Sequence, residues 1–168
     1  MVQQNAPEAT VAERQVLITR VFAARRELVF KAWSDRQQLM RWFAPNGCSI
    51  EFRTLDFRSG GAFHFCIHTP DGQQCWCRGV YREIVQPERI VFTMAVANEQ
   101  GDLVDPVAAG MDPDWPAETV VTVTFASVGD KTQLTLTQTV SESLAKRTGA
   151  HPSWIQMLDK LAAGLPTN

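Results

Sequence analysis

Nowhere does the chain approach the roughly 18 consecutive apolar residues that a membrane-spanning helix requires, so no membrane span is expected. Charge of one sign is equally scarce: 16 Lys and Arg stand against 18 Asp and Glu, a net charge of -2. Nucleic-acid binding wants a concentrated basic face. The nearest approach to one, Arg20, Arg25, Arg26 and Lys31, is interrupted by Phe22, Glu27 and Phe30 and reads as solvated surface. The opening residues, MVQQNAPEATVAERQ, hold no early positive charge and no apolar segment, so a cytoplasmic location is expected rather than secretion. In that reducing compartment Cys48, Cys66, Cys75 and Cys77 are expected to be free thiols.

Catalytic side chains are also thin on the ground. His64, His68 and His151 are the only histidines. Ser141, Ser143 and Ser153 lack the Gly-x-Ser-x-Gly elbow of a hydrolase nucleophile. Gly60-Gly61 leads into a strand pattern rather than a helix, so it is no phosphate loop. Glu51 and Asp56 alternate with apolar neighbours and are expected in solvent. Glu83 shares the parity of Tyr81 and is the one carboxylate with a claim to face inward as a base. No catalytic residue, cofactor or metal is assigned.

What the 168 residues do hold is a normal globular balance, 45% apolar and 20% charged, enough for one core without staples. Residues 1–13 are polar and are expected as a loose tail before a single domain over 14–168. Val16 to Val21 reads as a strand. Leu28, Val29, Ala32 and Trp33 recur at helical spacing, and Ser34 or Asp35 can cap a second short helix carrying Leu39, Met40, Trp42 and Phe43. From there to Val140 the period is two, with strands expected near 48–57, 61–69, 74–85, 88–97, 118–128 and 131–140. The break at 98–117 carries Pro106, Pro113 and Pro116, and a loop that long is expected to serve as a mobile cover anchored by Trp115, with Val104, Val107 and Met111 to bury. His151-Pro152-Ser153-Trp154 opens a last helix whose Trp154, Met157, Leu158 and Leu161 share one face. Segregated elements in this order predict α+β with an antiparallel sheet.

The Pro70-Asp71-Gly72 turn decides which strand residues face inward, because a slip of one residue exchanges the faces. A three-residue loop with glycine in the left-handed region pairs Thr69 with Gln73. Phe63, Phe65 and Ile67 then lie opposite Gly79, Cys77 and Cys75 on the inner face, leaving His64, Cys66, His68, Trp76 and Arg78 outside. A two-residue loop would instead gather Cys66, His68, Cys75 and Cys77, which are zinc-ligand types. The first register keeps the apolar residues together and is preferred. The same alternation turns Ile90, Phe92, Met94, Val121, Val123, Phe125, Leu134, Leu136 and Gln138 inward.

These elements resemble the bacterial relatives of the activator of heat-shock-protein-90 ATPase, within the START-like (SRPBCC) superfamily. The resemblance runs through Arg25-Arg26-Glu27-Leu28-Val29-Phe30-Lys31-Ala32-Trp33-Ser34-Asp35, Leu39-Met40-Arg41-Trp42-Phe43-Ala44-Pro45 and Leu55-Asp56-Phe57-Arg58-Ser59-Gly60-Gly61-Ala62-Phe63. It continues in Gly79-Val80-Tyr81-Arg82-Glu83-Ile84, Pro87-Glu88-Arg89-Ile90-Val91-Phe92-Thr93 and Thr119-Val120-Val121-Thr122-Val123-Thr124-Phe125, spanning about residues 14–165. Two departures stand out: Ser153-Trp154 where the family has Gly-Trp, and a long, proline-rich 98–117 segment. The resemblance implies a helix-grip fold, a curved antiparallel sheet around a long C-terminal helix with two short helices after the first strand.

It also implies a cavity between sheet and helix for a small, largely apolar molecule, aromatic or polyketide-like in character. The residues expected to line it are Trp42, Phe43, Phe63, Phe65, Cys77, Tyr81, Met94, Trp115, Gln138, Trp154, Met157 and Leu161. A cyclase- or lyase-like enzyme using the same cavity is the first alternative. A co-chaperone docking through an apolar patch around Trp76 is the second. A homodimer is compatible with the sequence.

Overall fold

Alternating side chains over most of the chain leave one apolar face per strand, and seven strands join along those faces into one antiparallel sheet. The computed structural model describes residues 11–166. In chain order the elements are α1 (Val11–Arg14), β1 (Val16–Phe22), α2 (Arg26–Ser34), α3 (Arg36–Trp42), β2 (Ser49–Leu55), β3 (Ala62–His68), β4 (Gln74–Val85), β5 (Arg89–Val96), β6 (Glu118–Val128), β7 (Lys131–Gln138), α4 (Glu142–Thr148) and α5 (Ala150–Gly164). The strands lie in the order β1-β7-β6-β5-β4-β3-β2. Of the stretch expected as a tail, residues 1–10 fall outside the described residues, and Val11–Arg14 form a helical turn. Among the described residues no helix is long and apolar enough to cross a membrane.

The expected hairpin register is the observed one. Phe63, Phe65 and Ile67 pair with Gly79, Cys77 and Cys75. Thr69 N–H donates to Gln73 O at 3.0 Å, and Gly72 takes φ of +87°, where a residue without Cβ is unstrained. Cys66 and His68 consequently face away from Cys75 and Cys77. The alternation breaks once where the sequence carries no sign of it: a bulge between Tyr81 and Glu83 shifts the pairing with β5. Tyr81 stays buried while Glu83 turns outward to Arg89, 3.4 Å away. The reading of Glu83 as an inward base is thereby corrected.

Against the concave face lie α2, α3 and α5. Val29, Phe30, Ala32 and Trp33 of α2, Leu39 and Trp42 of α3, and Trp154, Met157, Leu158 and Leu161 of α5 are buried there. Asp35 caps α3 by accepting from Gln37 N–H, and Trp42 Nε1 donates to Ala32 O at 3.0 Å, locking the two short helices together. Lys160 Nζ donates to Ala44 O at 2.9 Å and an ion pair joins Arg20 to Asp159, fixing α5 at both flanks. The last helical region holds two helices rather than the single one expected. Ser141 Oγ accepts from Leu144 N–H to start α4, and Gly149, at φ of +87°, ends it and turns the chain into α5.

Gly79 marks the tightest packing in the sheet. A Cβ built there would stand 1.8 Å from Thr93 O and 2.3 Å from Phe63 Cζ, so the Phe63 ring occupies the space a side chain would take. Overpacking of this kind costs about 1–3 kcal/mol, and more where backbone must move. Gly79→Ala should lower the unfolding free energy by that amount and move the urea midpoint down accordingly. An unchanged midpoint would mean that β4 and Phe63 are not in this contact.

Candidate functional site

Aromatic rings from separate elements meet where sheet and α5 come together. Trp33 stacks on Trp154 with centroids 6.5 Å apart, Trp42 abuts Trp33 at 4.6 Å, and Phe43 meets Phe65 at 5.9 Å and Trp154 at 5.8 Å. Phe63 lies 5.4 Å from Tyr81 and 5.9 Å from Phe92. What remains between them is a void of about 20 Å³, bordered by Trp33, Leu39, Phe43, Phe52, Phe63, Tyr81, Ile90 and Phe92. That is room for about one water molecule. Between the sheet and the α2–α3 region aromatic side chains therefore leave no room for a ligand.

Space opens instead at one end of the sheet. A cleft of about 340 Å³ lies between the concave face and the 98–117 segment. Phe65 and Ile67 of β3, Cys77 of β4, Met94 and Val96 of β5, Thr119 of β6 and Gln138 of β7 form its floor. Ala109, Met111 and Trp115 of the segment form its cover. Of the twelve residues expected at a ligand site, Phe65, Cys77, Met94, Trp115 and Gln138 come together here. Trp154 stands behind Gln138. Trp42, Phe43, Phe63, Tyr81, Met157 and Leu161 belong to the packed core. Met111, expected as part of the cover, is there too, and Thr119 and Ala109 join the lining without having been expected in it. Thr119 carries the inward parity of Val121 and Val123, which is the signal that could have found it.

The floor has one polar strip, and its orientation is determined chemically. An indole N–H can only donate. Trp154 Nε1 donates to Gln138 Oε1 at 2.8 Å, so the amide oxygen points at the helix and the NH₂ points along the sheet, where it donates to Thr119 Oγ1 at 3.1 Å. Both polar side chains are almost completely buried, Thr119 2% and Gln138 4% exposed.

The cover is tied down on several sides. Ala97 bridges Leu103, Asn98 and Asp102 close a turn, His64 Nε2 lies 2.9 Å from Asn98 O, and Arg78 donates to Gly101 O at 2.8 Å. At its far end Arg147 of α4 clasps Asp112 at 3.1 Å and Asp114 at 3.2 Å. The Arg147 guanidinium holds the Asp112 carboxyl below its ordinary range. Met111 and Trp115 are half-buried toward the cleft, but Val107 is 53% exposed and contributes nothing to burial, contrary to expectation.

No carboxylate and no histidine lines the cleft. The Cys77 thiol, pushed up to about 12 by burial, stays protonated at neutral pH and is a poor nucleophile. Burial likewise raises the Tyr81 phenol. His68 pairs with Glu51 at 3.4 Å on the outer face. Among the described residues no group of three or more His, Cys, Asp or Glu side chains comes together. Trp76 is half-buried on the outer face, with Arg53 over its ring at 4.8 Å and His64 at 5.1 Å.

An antiparallel sheet curved around a C-terminal helix, with two short helices after the first strand, is the helix-grip architecture of START-like proteins. Within that class the chain belongs to the family of Activator of Hsp90 ATPase homolog 1-like proteins, whose model matches residues 23–165. Among solved structures it is similar to a Chromobacterium violaceum protein at 26% identity, over 89% of this chain and 95% of that one, with a TM-score of 0.74. An Arthrobacter aurescens protein shares the fold at 24% identity, over 93% and 88% of the two chains, with a TM-score of 0.78. A Silicibacter pomeroyi protein of the same family does so at 21% identity, over 89% and 95%, with a TM-score of 0.70. No curated protein matches the chain.

The buried thiol and phenol make stability depend on alkaline pH. Both folded-state values lie above the unfolded ones, so the stabilisation is complete below the unfolded thiol value of about 8.5 and is lost as pH rises through the folded ones. Urea midpoints should hold steady up to about pH 8.5 and fall from there toward pH 12. Cys77→Ala should flatten the first part of that fall. A variant with the wild-type profile would show that the Cys77 thiol ionises freely in the folded protein.

Proposed function

We propose that the chain binds a small, uncharged, largely apolar molecule in the cleft beneath the 98–117 segment and performs no chemistry on it. The observation that carries this reading is a cleft of about 340 Å³ whose walls are largely apolar and hold no carboxylate, histidine or cation. Its size falls within the ordinary range of small-molecule sites, about 300–1,000 Å³. Phe65, Met94, Met111 and Trp115 offer ring faces and polarizable thioethers, which suit planar or aromatic ligands. A nucleotide would lose its hydration there with no cation to meet its phosphates. Catalysis of the lyase or cyclase kind needs a titratable group poised near working pH, and burial raises both thiols that line the cleft, Cys75 and Cys77, away from it.

Tryptophan quenching against a panel of neutral aromatic compounds tests the reading. At least one compound should saturate, and Trp115→Ala should weaken it by roughly threefold to tenfold, the worth of one ring face. Cys77→Phe should fill the floor and abolish binding while circular dichroism stays native. Saturable binding that survives Cys77→Phe would put the ligand elsewhere, and the absence of saturation throughout would end the proposal.

A further inference from the structure

The polar strip on the cleft floor holds two donor protons, one on the Thr119 hydroxyl and one on the Gln138 amide, that no protein acceptor among the described residues takes. We infer that the ligand carries a hydrogen-bond acceptor, a ketone, ester or ether oxygen on an apolar skeleton, and sets it against Thr119 and Gln138. The inference rests on the ligand-binding reading above and deepens it by naming a chemical class.

Trp154 sets the direction of the strip. Its indole N–H has no acceptor capacity, so it selects the oxygen of the Gln138 amide and turns the NH₂ away from the helix. One amide proton goes to Thr119 Oγ1. The lone pair accepting it leaves the Thr119 hydroxyl proton to point elsewhere, and no acceptor among the described residues receives it. The second amide proton of Gln138 is in the same position. Both side chains line the cleft, and both are more than nine-tenths buried. A buried donor without a partner is costly, and a buried donor that gains one contributes more than an exposed one. The amide cannot turn over to offer its oxygen, because that would set NH₂ against the indole N–H. The cleft therefore discriminates by polarity: a ligand with an acceptor at this point satisfies the free donor protons, and a pure hydrocarbon leaves them unpaired.

Fluorene and 9-fluorenone separate these cases, since they share one rigid planar skeleton and differ in a single carbonyl oxygen. Fluorene is the more hydrophobic, so burial alone favours it. Dissociation constants for both should be measured by tryptophan quenching on the whole chain. Fluorenone should bind about threefold to tenfold tighter, the worth of one net hydrogen bond. Thr119→Ser keeps the hydroxyl and should keep the preference, whereas the double variant Thr119→Val, Gln138→Leu should reverse it toward fluorene. Where the double variant fails to fold, the wild-type ratio decides by itself. Equal affinities, or tighter fluorene, would overturn the donor-strip inference and leave the apolar site standing. Failure of both compounds to bind, with no competition against a ligand found by screening, would overturn the site and this inference together.

Discussion

One hydrogen bond organises the interior: the indole of Trp154, which can only donate, holds the Gln138 amide in one orientation. That bond joins the gripped helix to the end of β7, so it fixes where α5 sits along the sheet. It also relays direction, since the amide turned by Trp154 is the one that reaches Thr119 on the neighbouring strand β6. A buried polar network of this kind is worth having only when each member is satisfied. Here the protein satisfies the helix side and leaves the cleft side to whatever occupies it. The same side chain thus carries a structural task and a recognition task, and the two cannot be changed independently.

Why the cleft lies at the end of the sheet follows from how the seam is filled. Trp33, Trp42, Phe43 and Trp154 pack edge to face and in offset stacks, an arrangement that aromatic quadrupoles favour. Where Trp33 and Phe43 meet the sheet, the void left is only about 20 Å³. Toward the cleft end of the sheet the inward residues shrink to Cys77 of β4 and Thr119 of β6, and no residue of α5 lines the space over them. The 98–117 segment takes its place, held by Arg147 from α4. Exposed ion pairs of this sort contribute little each, so the cover is secured mainly by its backbone and side-chain hydrogen bonds to Asn98, His64 and Arg78.

The sheet was largely legible in the sequence because its signals are local. Pro70-Asp71-Gly72 specifies a loop length, the loop length specifies register, and register carries Phe65 opposite Cys77 and Cys66 away from it. The bulge at Glu83 was not legible, since nothing in Tyr81-Arg82-Glu83 marks an extra residue. Helix α4 carries its own local signals: Ser141 is a good N-cap and Gly149 a good C-cap, with Lys146 and Arg147 in the last turn. The cleft was half legible. Parity brought Phe65, Cys77, Met94 and Gln138 to one face, and Trp115 followed from its place in the proline-rich break. Whether the rings at the seam would fill it is a matter of volumes in three dimensions, which no periodicity reports. Thr119 was passed over because threonine in a strand is ordinary, and its meaning comes only from Gln138 beside it.

The central claim is one of place: the ligand sits in the cleft under the 98–117 segment, not at the seam between sheet and helix. The five methionines provide built-in reporters, with Met94 and Met111 on the cleft, Met157 in the seam and Met40 exposed. Methyl NMR of methionine-labelled protein, titrated with a compound that saturates tryptophan quenching, reads all of them at once. The account predicts shifts at Met94 and Met111 that follow the binding isotherm, with Met40 and Met157 unmoved. A saturating shift at Met157 with Met94 and Met111 still would contradict it.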